Sequence, residues 1–155
     1  MIILFLCLIL TGCTFESPDE SNDSKGERMY SNIPLYYADF GSIYSLDDIS
    51  DYIGEHVKYK KDIGKDHAQS PQETLTLGTG DCEDLALLFI NIAYVTLDIK
   101  CDLIRVNTRK IVEGGRTTHA TVLTPDGIII EPLSGRVVNY TIRYIYFFDD
   151  IFNKE

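Results

Sequence analysis

The sequence predicts an α+β domain in which one buried helix lies across an antiparallel sheet. Three observations predict it. Residues Asp81 to Leu97 place an acidic cap before LALLFINIAYVTL, a run apolar nearly all round, as in a helix at the centre of a core. The strand-like patterns follow this helix, between Lys100 and Phe148. Two of them flank Pro125-Asp126-Gly127, which suits a three-residue hairpin loop and so makes its neighbours antiparallel.

In chain order, Met1 to Leu10 is almost purely apolar. It is shorter than the roughly 20 residues a membrane span takes, and it suits the hydrophobic region of a signal peptide. Leu10-Thr11-Gly12-Cys13 resembles the lipobox of bacterial lipoproteins, in which the cysteine is lipidated and begins the mature chain. Thr14 to Met29 is rich in Ser, Asp and Glu and nearly devoid of apolar residues, so it reads as a flexible tether. The expected division is a signal peptide over 1–12, lipidated Cys13 and tether over 13–29, and a folded domain over 30–155. The resulting location is the bacterial cell envelope, on the periplasmic side or the cell surface, with a lipid holding the chain to a membrane.

Within the domain, Ser45 caps a helix whose buried face is Ile49, Tyr52, Ile53 and either His56 or Val57. Ser70-Pro71-Gln72-Glu73 starts a second helix, with Ser as cap, Pro at the first position and Glu73 closing a capping box; Gly78 ends it. Asp81 caps the central helix, with Asp84 three residues on. Lys100 to Thr108 reads as a strand, Arg109 to Thr117 as a Gly-rich loop, and Arg136 to Phe148 as one or two further strands.

Composition narrows the chemistry. The chain has 155 residues, with 24 acids against 14 Lys and Arg, a net charge of −10. An excess of acid excludes the basic face that nucleic acid requires. The four cysteines form no CxxC pair, which excludes zinc ribbons and thioredoxin-like motifs.

Cys82 lies in the first turn of the central helix, where free amides and the helix dipole favour a thiolate and can receive an oxyanion. Asp81, Glu83 and Asp84 oppose that thiolate, so a histidine cation has to offset them. His119 opens the hairpin and is suited to take the thiol proton. If Pro125-Asp126-Gly127 is the whole loop, Thr124 faces Ile128 and Thr121 faces Glu131. His119 and Glu131 then share a face as diagonal neighbours, and Glu131 can orient the imidazole.

The run SPQETLTLGTGDCEDLALLFINIAY resembles the bacterial transglutaminase-like cysteine peptidases of the papain-like superfamily. The matching positions are Pro71, Glu73, Thr74, Gly80, Asp81, Cys82, Glu83 and Asp84, then His119, Ala120 and Val122, then Glu131 and Pro132. The resemblance implies a papain-like core, a Cys82-His119-Glu131 triad and acyl transfer through a thioester. It also implies Gln69 as an oxyanion donor. Where the family usually has Asp this chain has Glu131, and where the family often has Trp it has Ala68. Some members bind calcium near this motif, which makes Asp81, Glu83 and Asp84 candidate calcium ligands.

The leading expectation is therefore a monomeric, envelope-anchored thiol peptidase or amidase that acts on protein or peptide amides and requires no cofactor, calcium aside. The rival readings are a non-catalytic binding module of the same fold and a protein-crosslinking transglutaminase. The bland readings are a core thiol at Cys82, a core histidine at His119, a solvent-facing Glu131 and capping acids at 81, 83 and 84.

Overall fold

A computed structural model describes residues 30–62, 67–112 and 115–153; the expected signal peptide, Cys13 and the tether lie outside the described residues. The chain forms β1 (Ile33–Pro34), α1 (Leu46–His56), β2 (Lys58–Tyr59), α2 (Pro71–Leu77), β3 (Thr79–Gly80) and α3 (Cys82–Leu97). Then come β4 (Asp102–Val112), β5 (Gly115–Leu123), β6 (Ile129–Ile130), β7 (Val137–Val138), β8 (Thr141–Tyr146), α4 (Phe148–Ile151) and β9 (Phe152–Asn153). Five strands make one sheet in the order β7-β6-β5-β4-β8, antiparallel throughout, with α3 packed across it. This is the α+β architecture expected from the sequence.

The all-round apolar character of α3 has the predicted consequence. Eleven of its 16 residues, Glu83 to Ala93, are buried. Leu87, Phe89 and Ile90 share one core with Leu103, Ala120 and Val122 of the sheet. The one neutral polar residue within that buried stretch, Asn91, accepts from the Tyr36 amide at 2.8 Å and donates to the Tyr36 carbonyl at 2.9 Å. It thereby ties the segment before α1 to the core. Ile49, Ile53 and Val57 form the buried face of α1, while His56 turns outward and stacks on Tyr52 at 4.1 Å. Ser45 and Ser70 both cap as expected, accepting from Asp48 and Glu73 amides. The Glu73 carboxylate lies 3.5 Å from His67.

The expected loop over Arg109 to Thr117 is mostly strand: β4 runs to Val112 and β5 begins at Gly115. Ile111, Val112 and Thr117 are β-branched and favour extended backbone more strongly than the two glycines oppose it. Two short parallel pairings complete the fold, Ile33 with Phe152 in β1–β9 and Tyr59 with Gly80 in β2–β3.

The sheet is curled, and chain connectivity explains why. Its two edge strands, β7 and β8, are joined by only Asn139 and Tyr140. In a flat five-stranded sheet the edges would stand about 19 Å apart. Three Cα steps span at most about 11 Å. The edges must therefore turn toward each other, as in a partial barrel. The inner face holds a second, smaller core of Ile104, Val106 and Ile129, with Leu123, Val138, Tyr140 and Ile142 around it.

Candidate active site

The turn Gly80-Asp81 and the first turn of α3 form one hydrogen-bonded unit. The Asp81 carboxylate accepts from the Glu83 amide at 3.2 Å, and Asp84 Oδ2 accepts from the Asp81 amide at 3.0 Å. Both halves of a capping box are thus present. Asp84 Oδ1 accepts from the Gln69 amide at 2.8 Å, so this fully buried side chain also fastens the segment before α2 to the start of α3. Gly80 is required by space. A Cβ there would lie 2.7 Å from the Asp84 Cβ and 3.2 Å from a Thr74 methyl.

Cys82 is the first residue of α3 and is partly exposed. Its thiol donates to Glu83 Oε2 at 3.1 Å, and the Ala120 amide of β5 is near enough to the sulfur to favour its thiolate. Burial pushes the thiol pKa up to about 12, with Glu83 and Asp81 adding to the rise against the Ala120 amide, which lowers it. Desolvation and the neighbouring Asp81 hold Glu83 well above the carboxylate range, at about 8. Desolvation outweighs two amide bonds at Asp84 and raises it to about 6. The helix N-terminus does not make a thiolate here. The flanking acids and burial win, in the direction that the sequence allowed for.

His119 stands opposite Val106 in β5 and projects on the same face as Thr121. The hairpin register is the expected one. Val122 pairs with Ile130 and Leu123 with Ile129, and the Thr124 amide donates to the Ile128 carbonyl at 2.9 Å. Gly127 takes a φ of 84°, which closes the loop. His119 Nε2 consequently lies 2.9 and 3.1 Å from the two oxygens of Glu131. A carboxylate only accepts, so Nε2 carries the proton and Nδ1 is the basic nitrogen of the neutral ring. β6 covers only Val122 and Leu123 of β5. The stretch of β5 before Val122 extends past β6, and there the Ala120 amide meets Cys82.

Gln69 is held beside the α3 N-terminus by its main chain, and its buried Oε1 has no partner among the described residues. Asp81, Cys82 and Glu83 present ligand atoms within 4.8 Å of one another. Both Asp84 oxygens are occupied by amides, leaving Asp81 and Glu83 as the carboxylates with capacity for a cation. Cys101 is fully buried and, like Cys82, a free thiol.

Two tyrosines belong to the surroundings and were not assigned there from sequence. Tyr59, half-exposed on β2, is close enough to Cys82, Asp81 and Glu83 for their charges to raise its pKa, after desolvation. A lone aromatic among lysines was the available signal. Tyr140, on the β7–β8 link, meets His119 edge-on at 6.4 Å and faces Glu131. Its placement depends on the curl, which strand patterns do not encode.

The chain matches no family model and no curated protein. It is similar to solved structures of LapG from Legionella pneumophila. The EGTA-treated form superposes with a TM-score of 0.51 at 18% identity, over 65% of this chain and 61% of that one. The calcium-bound form gives 0.50 at 18% identity, over 65% and 62%. A candidate cysteine protease from Cytophaga hutchinsonii is more distant, with a TM-score of 0.45 at 17% identity, over 65% and 42%. The chain thus spans about three-fifths of the LapG chains, and the likeness is one of fold.

Proposed function

We propose that this domain is a cysteine peptidase or amidase in which Cys82 is the nucleophile, His119 the base and Glu131 the group that orients His119. The observation that carries the reading is the Glu131–His119 bond of 2.9 Å on the strand whose next amide, Ala120, faces the Cys82 sulfur. Glu131 is bonded to His119, and the residue after His119 lies beside the proposed nucleophile, which is the order of groups that thiol chemistry needs.

In the reaction, His119 Nδ1 takes the Cys82 proton as the sulfur attacks an amide carbonyl. The carbonyl π electrons move to oxygen, and that oxyanion is received by first-turn amides of α3 and the Gln69 side chain. The imidazolium, steadied by Glu131, returns its proton to the departing amine as the carbon–nitrogen bond breaks. Water, deprotonated by His119, then cleaves the thioester and regenerates the thiol. An amine in place of water would give transamidation.

Calcium fits Asp81 and Glu83 as donors; burial first and Asp81 second raise Glu83, and a bound cation would oppose both by favouring its ionised form. When bound, calcium would neutralise carboxylate charge beside the thiol. Anchoring at Cys13, an envelope location, a monomeric state and protein amides as substrates complete the proposal, and they rest on the sequence alone.

A binding module of the same fold is the second reading. The Cys82–Glu83 bond favours it, because a thiol held by a carboxylate is a poor nucleophile. The test compares the full chain with Cys82→Ala on envelope protein extract, with and without calcium, by labelling new amino termini. New termini made only by the Cys82 chain are expected. None above the Cys82→Ala background in either condition would favour the binding module, and isopeptide products would mark a crosslinking enzyme.

A further inference from the structure

We propose that Thr121 is a positioning residue for the His119–Glu131 pair, its hydroxyl tying the peptide that precedes Glu131 to the strand that carries His119. The proposal rests on the reading of Glu131 as the group that orients His119. Thr121 is fully buried on β5, two residues after His119, so both side chains project on one face. Its Oγ1 donates to the Ile130 carbonyl at 2.6 Å. Because Val122 pairs with Ile130, the next position of the register sets Thr121 opposite Glu131.

The bonds that Glu131 makes within its own turn do not reach β5. Its N–H donates to the Arg136 carbonyl at 3.0 Å, and its carbonyl accepts from Gly135 at 2.9 Å and from Ser134 at 3.2 Å. They fix the shape of the turn and leave its distance from β5 open. That distance depends on the β5–β6 ladder, which pairs only Ile129 and Ile130 of β6 and stops short of Glu131. The Thr121 hydroxyl acts at this stopping point, on the last carbonyl before Glu131. Valine would fill the same space in a strand without a polar atom to bury. The hydroxyl is tolerated in the core because it is bonded, and its bond falls on the peptide that leads into Glu131. One strand therefore carries the imidazole on residue 119 and grips the backbone of the carboxylate through residue 121.

The test follows exchange of the His119 Nε2 proton with solvent, by NMR of the full chain at one fixed pH. Thr121→Val keeps the shape and removes the hydroxyl, whereas Thr121→Ser keeps the hydroxyl. The expected result is exchange about tenfold faster in Thr121→Val, the scale of one lost hydrogen bond, with Thr121→Ser at the parent rate. Thr96→Val is the control, since Thr96 makes the same kind of bond, to the Ile92 carbonyl at 2.6 Å, near the far end of α3. It should leave His119 at the parent rate. On any substrate cleaved in a Cys82-dependent way, Thr121→Val should lower kcat by about tenfold with KM unchanged, and Thr121→Ser should restore it. If Thr121→Val does not fold, Thr121→Ala against Thr121→Ser makes the same comparison, because both lack the methyl and differ in the hydroxyl. Exchange equal in the parent and the folded hydroxyl-free variant overturns the proposal, and so does equal acceleration by Thr121→Ser or Thr96→Val. The exchange measurement needs no activity, so it decides about Thr121 even if Cys82 proves to have no substrate.

Discussion

At Cys82 the helix dipole and the Ala120 amide favour a thiolate, whereas burial, Glu83 and Asp81 favour the thiol. The thiol side prevails, so reactivity depends on relieving Glu83. A direct prediction follows for alkylation at pH 9 with a chelator present, where Glu83 is ionised. Glu83→Gln should accelerate labelling of Cys82 severalfold, because a charge 3.1 Å from the sulfur is gone. Cys101, fully buried, should stay unlabelled in both proteins. An unchanged Cys82 rate, read by mass spectrometry, would mean that burial alone sets the thiol. The sequence allowed the contest to be framed, since acids flank Cys82 on both sides. It did not allow the outcome to be read, because desolvation depends on how β5 closes over the helix start.

Among the elements, those built from neighbouring residues were the most legible. The caps at Ser45, Ser70 and Asp81 and the Gly78 stop act within a few residues, and all are found. The hairpin was legible for the same reason: a three-residue loop sets the register, and the register sets His119 beside Glu131. Long-range closure was not legible. The curl of the sheet, the β1–β9 pairing and the fastening of Gln69 by Asp84 join segments that no local pattern relates. Asp84 is the clearest case, since its sequence reading as a cap or cation ligand misses its bond to residue 69. Asp84→Ala should strip two buried amides of their acceptor at about 1–3 kcal/mol each, a loss of roughly 2–6 kcal/mol in urea unfolding. A loss below about 0.5 kcal/mol would show that other groups satisfy both amides.

For the whole molecule, the net charge of −10 has a spatial pattern. Asp39, Asp48, Asp51 and Glu55 line a groove of about 490 Å³ between the segment before α1 and α1 itself. Asp81, Glu83 and Asp84 occupy the buried start of α3. The second group makes stability pH-dependent. Glu83 has a folded pKa of about 8 against an ordinary 4.5, so the folded state holds its proton more tightly. Stability from this group is complete below pH 4.5 and is lost as pH rises through about 8. With calcium removed, the thermal midpoint should fall between pH 5 and pH 8.5, and Glu83→Gln should flatten that fall. A midpoint rising over the same window, or a slope untouched by Glu83→Gln, would contradict the buried protonated carboxyl.

The parallel pairing of Ile33 with Phe152 has a mechanical meaning. Force applied through residue 30 and residue 153 pulls β1 and β9 along their common axis in opposite senses. The bridge is then loaded in shear, with its bonds strained together, whereas an antiparallel pairing of the two ends would open like a zipper. Tension on the chain meets this bridge before it reaches the helix that carries Cys82.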